Sequence, residues 1–253
     1  MSKIKNIILT SLMFVFFAVG IVAFIYPLAD EQLYSIEQDK IIEEFDKTFE
    51  TEPTETVLNK NPKDTAAQAP DLNKLQRDVK AYNKRIYAEG QSNLKDKSSY
   101  QTAPLNLYDY GFPNNIYGYI SIDKLELNMA LYLGASEYNM SVGAACMAQT
   151  SIPFGGKNTN TVIAGHCGYG GRHYFRYIEN LEPGDIVKVT TPFKRLTYKV
   201  SYKKKIDPNN IEQIKIQDGK DMITLFTCYP YPTSDYRICV FCEAVPPVDG
   251  TRR

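Results

Sequence analysis

The chain has no tryptophan and just two histidines, His166 and His173. An imidazole acid or base therefore has two candidate positions in 253 residues. Charge excess is absent as well. Lys+Arg and Asp+Glu stand at 29 each, which gives no footing for a nucleic-acid interface. The five cysteines (146, 167, 228, 239 and 242) are an odd number, so a framework that pairs them all within the chain is excluded. At least one thiol is free or joined to another molecule, and Cys228 is the one expected to be free. No internal repeat is visible. Tyrosine is plentiful, with 19 residues, and with β-branched residues it crowds the second half of the chain, a composition that favours strands.

Charge is also missing from Ile7 to Tyr26, an apolar stretch of the length a helix needs to cross a bilayer, roughly 20 residues. Lys3 and Lys5 precede it, and Asp30, Glu31 and Glu37 follow, so the basic flank belongs in the cytoplasm and the rest of the chain outside. A cleaved signal peptide is the competing reading. It normally has an apolar region of about 7–15 residues and a small-x-small cleavage site; the sequence here runs Tyr26-Pro27-Leu28-Ala29. Residues 1–28 are therefore read as cytoplasmic tip and uncleaved anchor.

Leu33, Ile36, Ile41, Phe45 and Phe49 then recur at mostly helical spacing and predict an amphipathic helix. Residues 51–70 carry three prolines and few large apolar side chains, which reads as a linker. Asp71 is placed to cap a second helix whose stripe is Leu72, Leu75, Val79, Tyr82 and Ile86, with Gly90 as its stop. From about Tyr117, short apolar runs alternate with turn signals such as Pro183-Gly184-Asp185. That pattern predicts an antiparallel barrel or sandwich, mainly β, over the remainder of a domain at 71–248, with a polar tail at 249–253. Phe175 to Leu181 is the one helical turn expected in this half.

The run ITLFTCYPYPTSDYRICV holds the candidate chemistry. An apolar strand ends at Cys228, where Tyr229-Pro230 must close it because proline cannot donate to the ladder. A second strand opens at Arg237. A guanidinium across from the thiol can favour thiolate and later hold an oxyanion. A third strand, TVIAGH, delivers His166. His173 lies in the Gly-rich CGYGGRHYF, where a mobile loop positions a base poorly. Cysteine, histidine and arginine together are the makings of thiol acyl transfer.

Each of these residues also has a plain structural reading. A strand cysteine is often a small buried hydrophobe. Arg237 could be a surface charge, and His166 a satisfied strand end. Cys239-x-x-Cys242 has zinc-like spacing, but on a strand its sulfurs point to opposite faces. Cys239 or Cys242 could instead form a disulfide with Cys146 or Cys167.

In these residues the sequence resembles the sortases, membrane-anchored cysteine transpeptidases of Gram-positive bacteria. Thr224–Cys228 (TLFTC) is similar to the family's TLxTC, Arg237 follows at the pilin-type spacing, and Ala164-Gly165-His166 sits where its histidine is expected. Ala81-Tyr82-Asn83, IYGYIS from Ile116, YLGAS from Tyr132, Thr150 to Gly156 and Asn180 to Asp185 resemble class C, the pilin-polymerising members. Three features depart from that class. No Asp-Pro-aromatic lid triplet occurs between Ile86 and Ile116, the C-terminal end is polar, and Tyr236 precedes the arginine. The reading is a lidless, class C-like member.

The resemblance implies a closed eight-stranded β-barrel with flanking helices, outside the cell membrane. It implies catalysis by Cys228, His166 and Arg237, with Thr227, Tyr229 and Tyr236 as substrate contacts. It also implies substrates bearing an LPXTG-like signal, an amine acceptor (a pilin lysine or a peptidoglycan precursor) and no metal or organic cofactor. The alternatives are a wall-anchoring sortase, a cysteine hydrolase and a membrane-tethered, non-catalytic β-barrel binding module.

Overall fold

A computed structural model of the chain describes residues 2–49, 69–96 and 98–246. The expected linker at 51–70 lies almost wholly outside these residues, and the tail at 249–253 entirely so. Eight strands form the sheet: β1 Ile116–Ile122, β2 Leu127–Leu133, β3 Ala144–Cys146, β4 Thr159–Ala164, β5 Ile186–Thr190, β6 Arg195–Ile206, β7 Asp221–Tyr229 and β8 Tyr236–Ala244. They close into a barrel in the order β1-β2-β3-β4-β7-β8-β6-β5. Closure leaves no open sheet edge. Two neighbouring pairs, β2–β3 and β4–β7, are parallel, which departs from the antiparallel expectation. β3 is three residues of small side chains, too short to show a period in the sequence.

Alternation along the strands sends side chains to two clusters. Ile120, Leu131, Val189, Ile223, Leu225 and Val240 belong to one, which continues to Leu75 and Val79. Their neighbours Tyr119, Ala130, Tyr132, Cys239 and Phe241 belong to the other, with Phe45 and Leu94.

Three helices flank the barrel. α1, Ser2–Phe49, is continuous through the expected boundary near residue 28, so anchor and amphipathic segment form one rod. Its exposed apolar first half is long enough to cross a membrane. The face it turns to the barrel differs from the expected stripe. Leu33 and Ile36 are exposed and Tyr34 and Gln38 are buried in their stead, while Phe45 is buried as expected and Ile41 and Phe49 pack partly buried beside it. Gln38 earns its place by hydrogen bonding: its amide donates to the Val142 carbonyl (3.0 Å) and its side-chain oxygen accepts from the Ala130 N–H (2.8 Å). Those bonds satisfy barrel backbone groups that an apolar side chain would leave unpaired.

α2, Leu72–Ala88, follows its sequence pattern. Asp71 accepts from the Lys74 N–H (2.9 Å), the face Leu75, Val79, Tyr82 and Ile86 is buried, and Gly90 takes a φ of +63° just past the end. Asn83 braces this helix against the barrel by donating to Ile152 O (2.9 Å) and accepting from Ile152 N–H (2.8 Å). The Tyr82 hydroxyl accepts from Gln149 N–H (2.9 Å). α3, Glu137–Val142, is a short helix capped by Ser136 that the sequence pattern did not reveal. The turn expected at 175–181 is a brief 3-10 segment, Ile178–Asn180.

Candidate active site

β4 and β7 run parallel in register up to Ala164↔Phe226. The ladder continues one step further, with Gly165 N–H donating to Phe226 O (3.2 Å) and the Thr227 hydroxyl donating to Gly165 O (2.7 Å). His166 is therefore delivered beside Cys228. On the other flank β7 and β8 pair antiparallel, and Cys228 and Arg237 are direct partners. Three side chains from three adjacent strands thus meet at one end of the barrel. They line one groove of about 400 Å³, together with Ala135, Met140, Met147, Ala164 and Phe226.

The groove walls are mostly apolar, and their charged residues are Lys95 and Arg237, with no carboxylate among them. Cys228 is half-buried and unbonded to any disulfide partner, while the other four cysteines are buried and free. Burial pushes the Cys239 and Cys242 thiols up to about 12, which keeps them protonated. Those two sulfurs lie in different clusters, as opposite faces of β8 require.

His166 is held between two tyrosines. Its ring stacks on Tyr169 (4.9 Å, 19°) and meets Tyr174 edge-on (5.9 Å, 78°). Its carbonyl accepts from Phe175 N–H (2.9 Å), and its Nε2 is buried without a partner. Burial lowers the imidazole pKa below its ordinary value, with Glu137 opposing the shift, so the ring favours its neutral form. One Arg237 nitrogen donates to Ser234 O (3.0 Å) and Tyr236 O (2.8 Å), which pins the guanidinium to the β7–β8 loop.

Of the other candidates, Thr227 lines the groove and His173, Tyr229 and Tyr236 do not. His173 pairs with Glu31 (3.5 Å) in a separate cavity between α1 and the barrel. Tyr229 and Tyr236 pair with each other one step past Cys228 and Arg237 and do not line the groove. Strand alternation turns them to the other face; Tyr236 sits under the Lys205 ammonium instead (4.2 Å). Thr227 is buried, its hydroxyl spent on Gly165 O.

Sequence reasoning missed one wall of the groove. Leu94, Lys95 and Tyr100 come from the segment before β1, where no lid triplet was found. The Tyr100 carbonyl accepts from Ala135 N–H and Ala148 N–H (3.0 Å each), which fixes this segment across the barrel mouth. Nothing in the spacing of Ser98, Ser99 and Pro104 signals it.

Residues 120–245 match the family model described as the sortase domain. The chain carries a sortase domain. Over 132 residues it is 31% identical to sortase A of Streptococcus agalactiae serotype III (strain NEM316), covering 51% of this chain and 52% of that protein. Over 114 residues it is 25% identical to sortase D of Bacillus subtilis (strain 168), covering 45% and 54%. The sortase-domain chain thus spans about half the length of these relatives. Solved structures match more widely. Sortase C of Clostridium perfringens SM101 superposes with a TM-score of 0.61 at 26% identity, over 82% of this chain and 99% of that one. Sortase C-1 of Streptococcus pneumoniae gives 0.65 at 25%, over 83% and 100%. The sortase fold and its class C likeness follow from these matches.

Proposed function

We propose that this protein is a membrane-anchored cysteine transpeptidase that cuts an LPXTG-like sorting signal and joins the acyl part to an amine. The observation that carries this reading is the shared groove of Cys228, His166 and Arg237. The Cys228 sulfur attacks the threonine carbonyl carbon as its proton passes to the neutral His166 imidazole. The resulting oxyanion is held by Arg237, whose N–H groups not bonded to the loop carbonyls are available to it. Collapse breaks the C–N bond, and His166 returns the proton to the departing amine, leaving a thioester. An incoming amine attacks the thioester, gives up a proton through His166, and expels the Cys228 sulfur.

The acceptor we favour is a pilin lysine, because the solved structures described above are sortases C. The apolar half of α1 serves as the anchor, with its N-terminal end cytoplasmic and the barrel outside. Anchoring enzyme and substrate to one surface raises their effective concentration and favours aminolysis over hydrolysis.

The test is mass spectrometry of the chain with an LPXTG peptide, with and without lysine or oligoglycine amines. An acyl adduct on Cys228 that is discharged faster by amine than by water is expected. Cleavage indifferent to added amine would instead indicate a hydrolase.

A further inference from the structure

α1 is one helix, so its axis orders the barrel's contacts by height above the membrane span. Asp30 holds Arg172 (2.9 Å), Glu31 accepts from His173 N–H (2.8 Å), and the Tyr34 ring faces Tyr174 (5.1 Å). Further along, Gln38 meets Ala130 and Val142, Phe45 meets Tyr119, and Phe49 meets Phe112. The Gly-rich turn after β4 is therefore the part of the barrel nearest the apolar stretch. Asp30 lies four positions past Tyr26. At 1.5 Å per residue that is about 6 Å of rise. The polar layer on each side of the hydrocarbon core is about 5–7 Å thick.

The turn itself is a tight hairpin. Tyr169 and Arg172 exchange both backbone hydrogen bonds (3.0 Å each), with Gly170 and Gly171 at the tip. Tyr169 and Tyr231 are more than half exposed, and the Arg176 guanidinium lies over the Tyr231 ring (3.7 Å). A Cβ on Gly168 would touch both Tyr231 and Arg176, so these side chains form one patch. Amphipathic rings beside a cation are the chemistry of the bilayer interface.

From this ordering we infer that the patch of Tyr169, Arg176 and Tyr231 rests on the lipid headgroup layer, with the His166 end of the barrel against the bilayer. The proposal rests on the anchor reading above. Substrates that remain in the membrane would then enter the groove from the side next to the lipid.

Because the chain lacks tryptophan, single-Trp variants of the full chain report depth directly in phosphatidylcholine–phosphatidylglycerol vesicles. Tyr231→Trp should lose most of its fluorescence to a headgroup-level lipid quencher. Tyr87→Trp, on α2 by the start of β4 at the far end of the barrel, should keep its fluorescence, and Phe17→Trp should respond to a deep quencher. If Phe17→Trp is quenched while Tyr231→Trp and Tyr87→Trp are equally bright, the docking is wrong and the anchor stands. An unquenched Phe17→Trp removes both. A nitroxide at Gly170→Cys in a Cys228→Ala background, read by its collisions with aqueous and lipid-bound relaxants, gives a second depth without touching the aromatic patch. Greater access to the aqueous relaxant would likewise overturn the proposal.

Discussion

Cys228 and Arg237 stand directly opposite each other in the β7–β8 ladder. The pairing aims both side chains to the same face of the sheet, and the guanidinium is tied to Ser234 O and Tyr236 O at the loop between the strands. Arg237→Lys keeps the charge and loses the fork. Turnover of a sorting-signal peptide should fall about 10²-fold, as for removal of one oxyanion donor. Unchanged turnover in stopped assays would take Arg237 out of the mechanism.

Cys228 differs from the other four cysteines in exposure. A neutral-pH alkylating reagent should modify one thiol per chain quickly, as counted by intact mass. In Cys228→Ala, fast labelling and thioester formation should both disappear. Rapid modification of a second site would show that the buried thiols are reachable.

The two histidines sit in different cavities, so their removal should have unequal effects. His166→Ala should lower turnover by about 10²–10⁴-fold, the usual range for a lost acid–base group. His173→Ala should keep most of it. A reversed order, read from initial rates, would move the acid–base role to the Gly-rich turn.

Burial holds the His166 pKa below the ordinary imidazole value of 6.5. The unfolded chain therefore takes up this proton at a higher pH than the folded one. The contribution to stability is complete above 6.5 and is lost as pH falls from there towards the folded midpoint. Carbon-13 imidazole titration should show two curves, with His173→Ala assigning them. A His166 midpoint above 6.5 would contradict its burial.

Gly165 is needed for space. A Cβ there would lie 2.8 Å from the ring of fully buried Phe175, whose N–H donates to the His166 carbonyl. Gly165→Ala should cost about 1–3 kcal/mol by overpacking and shift the histidine. Denaturant melts and peptide turnover should both register it, and Gly165→Ala with Phe175→Leu should recover part of each.

Much of the site could be read without coordinates because its members lie at strand ends. The run TLFTC, closed by Tyr229-Pro230, shows where a strand stops, and the loop length to Arg237 brings the second strand back opposite the first. The same period of two that made Cys228 legible also misled: Tyr229 and Tyr236 adjoin the candidate residues in sequence but turn away from the groove. α2 was legible from cap to stop, since Asp71, a single apolar stripe and Gly90 are local signals.

α1 shows the limit of such signals. Its apolar content pointed to Leu33 and Ile36, yet the face that docks is chosen by Tyr34 and by Gln38, whose value depends on two backbone groups about a hundred residues away. The sequence by itself determined the strand ends that carry the candidate residues, the apolar span and the capped second helix, because each depends on near neighbours and fixed periods. Tertiary packing alone decided that β4 lies beside β7, that Tyr100 walls the groove, and that Asp30 reaches the turn behind His166. Those relations join residues far apart in the chain, so no local period encodes them.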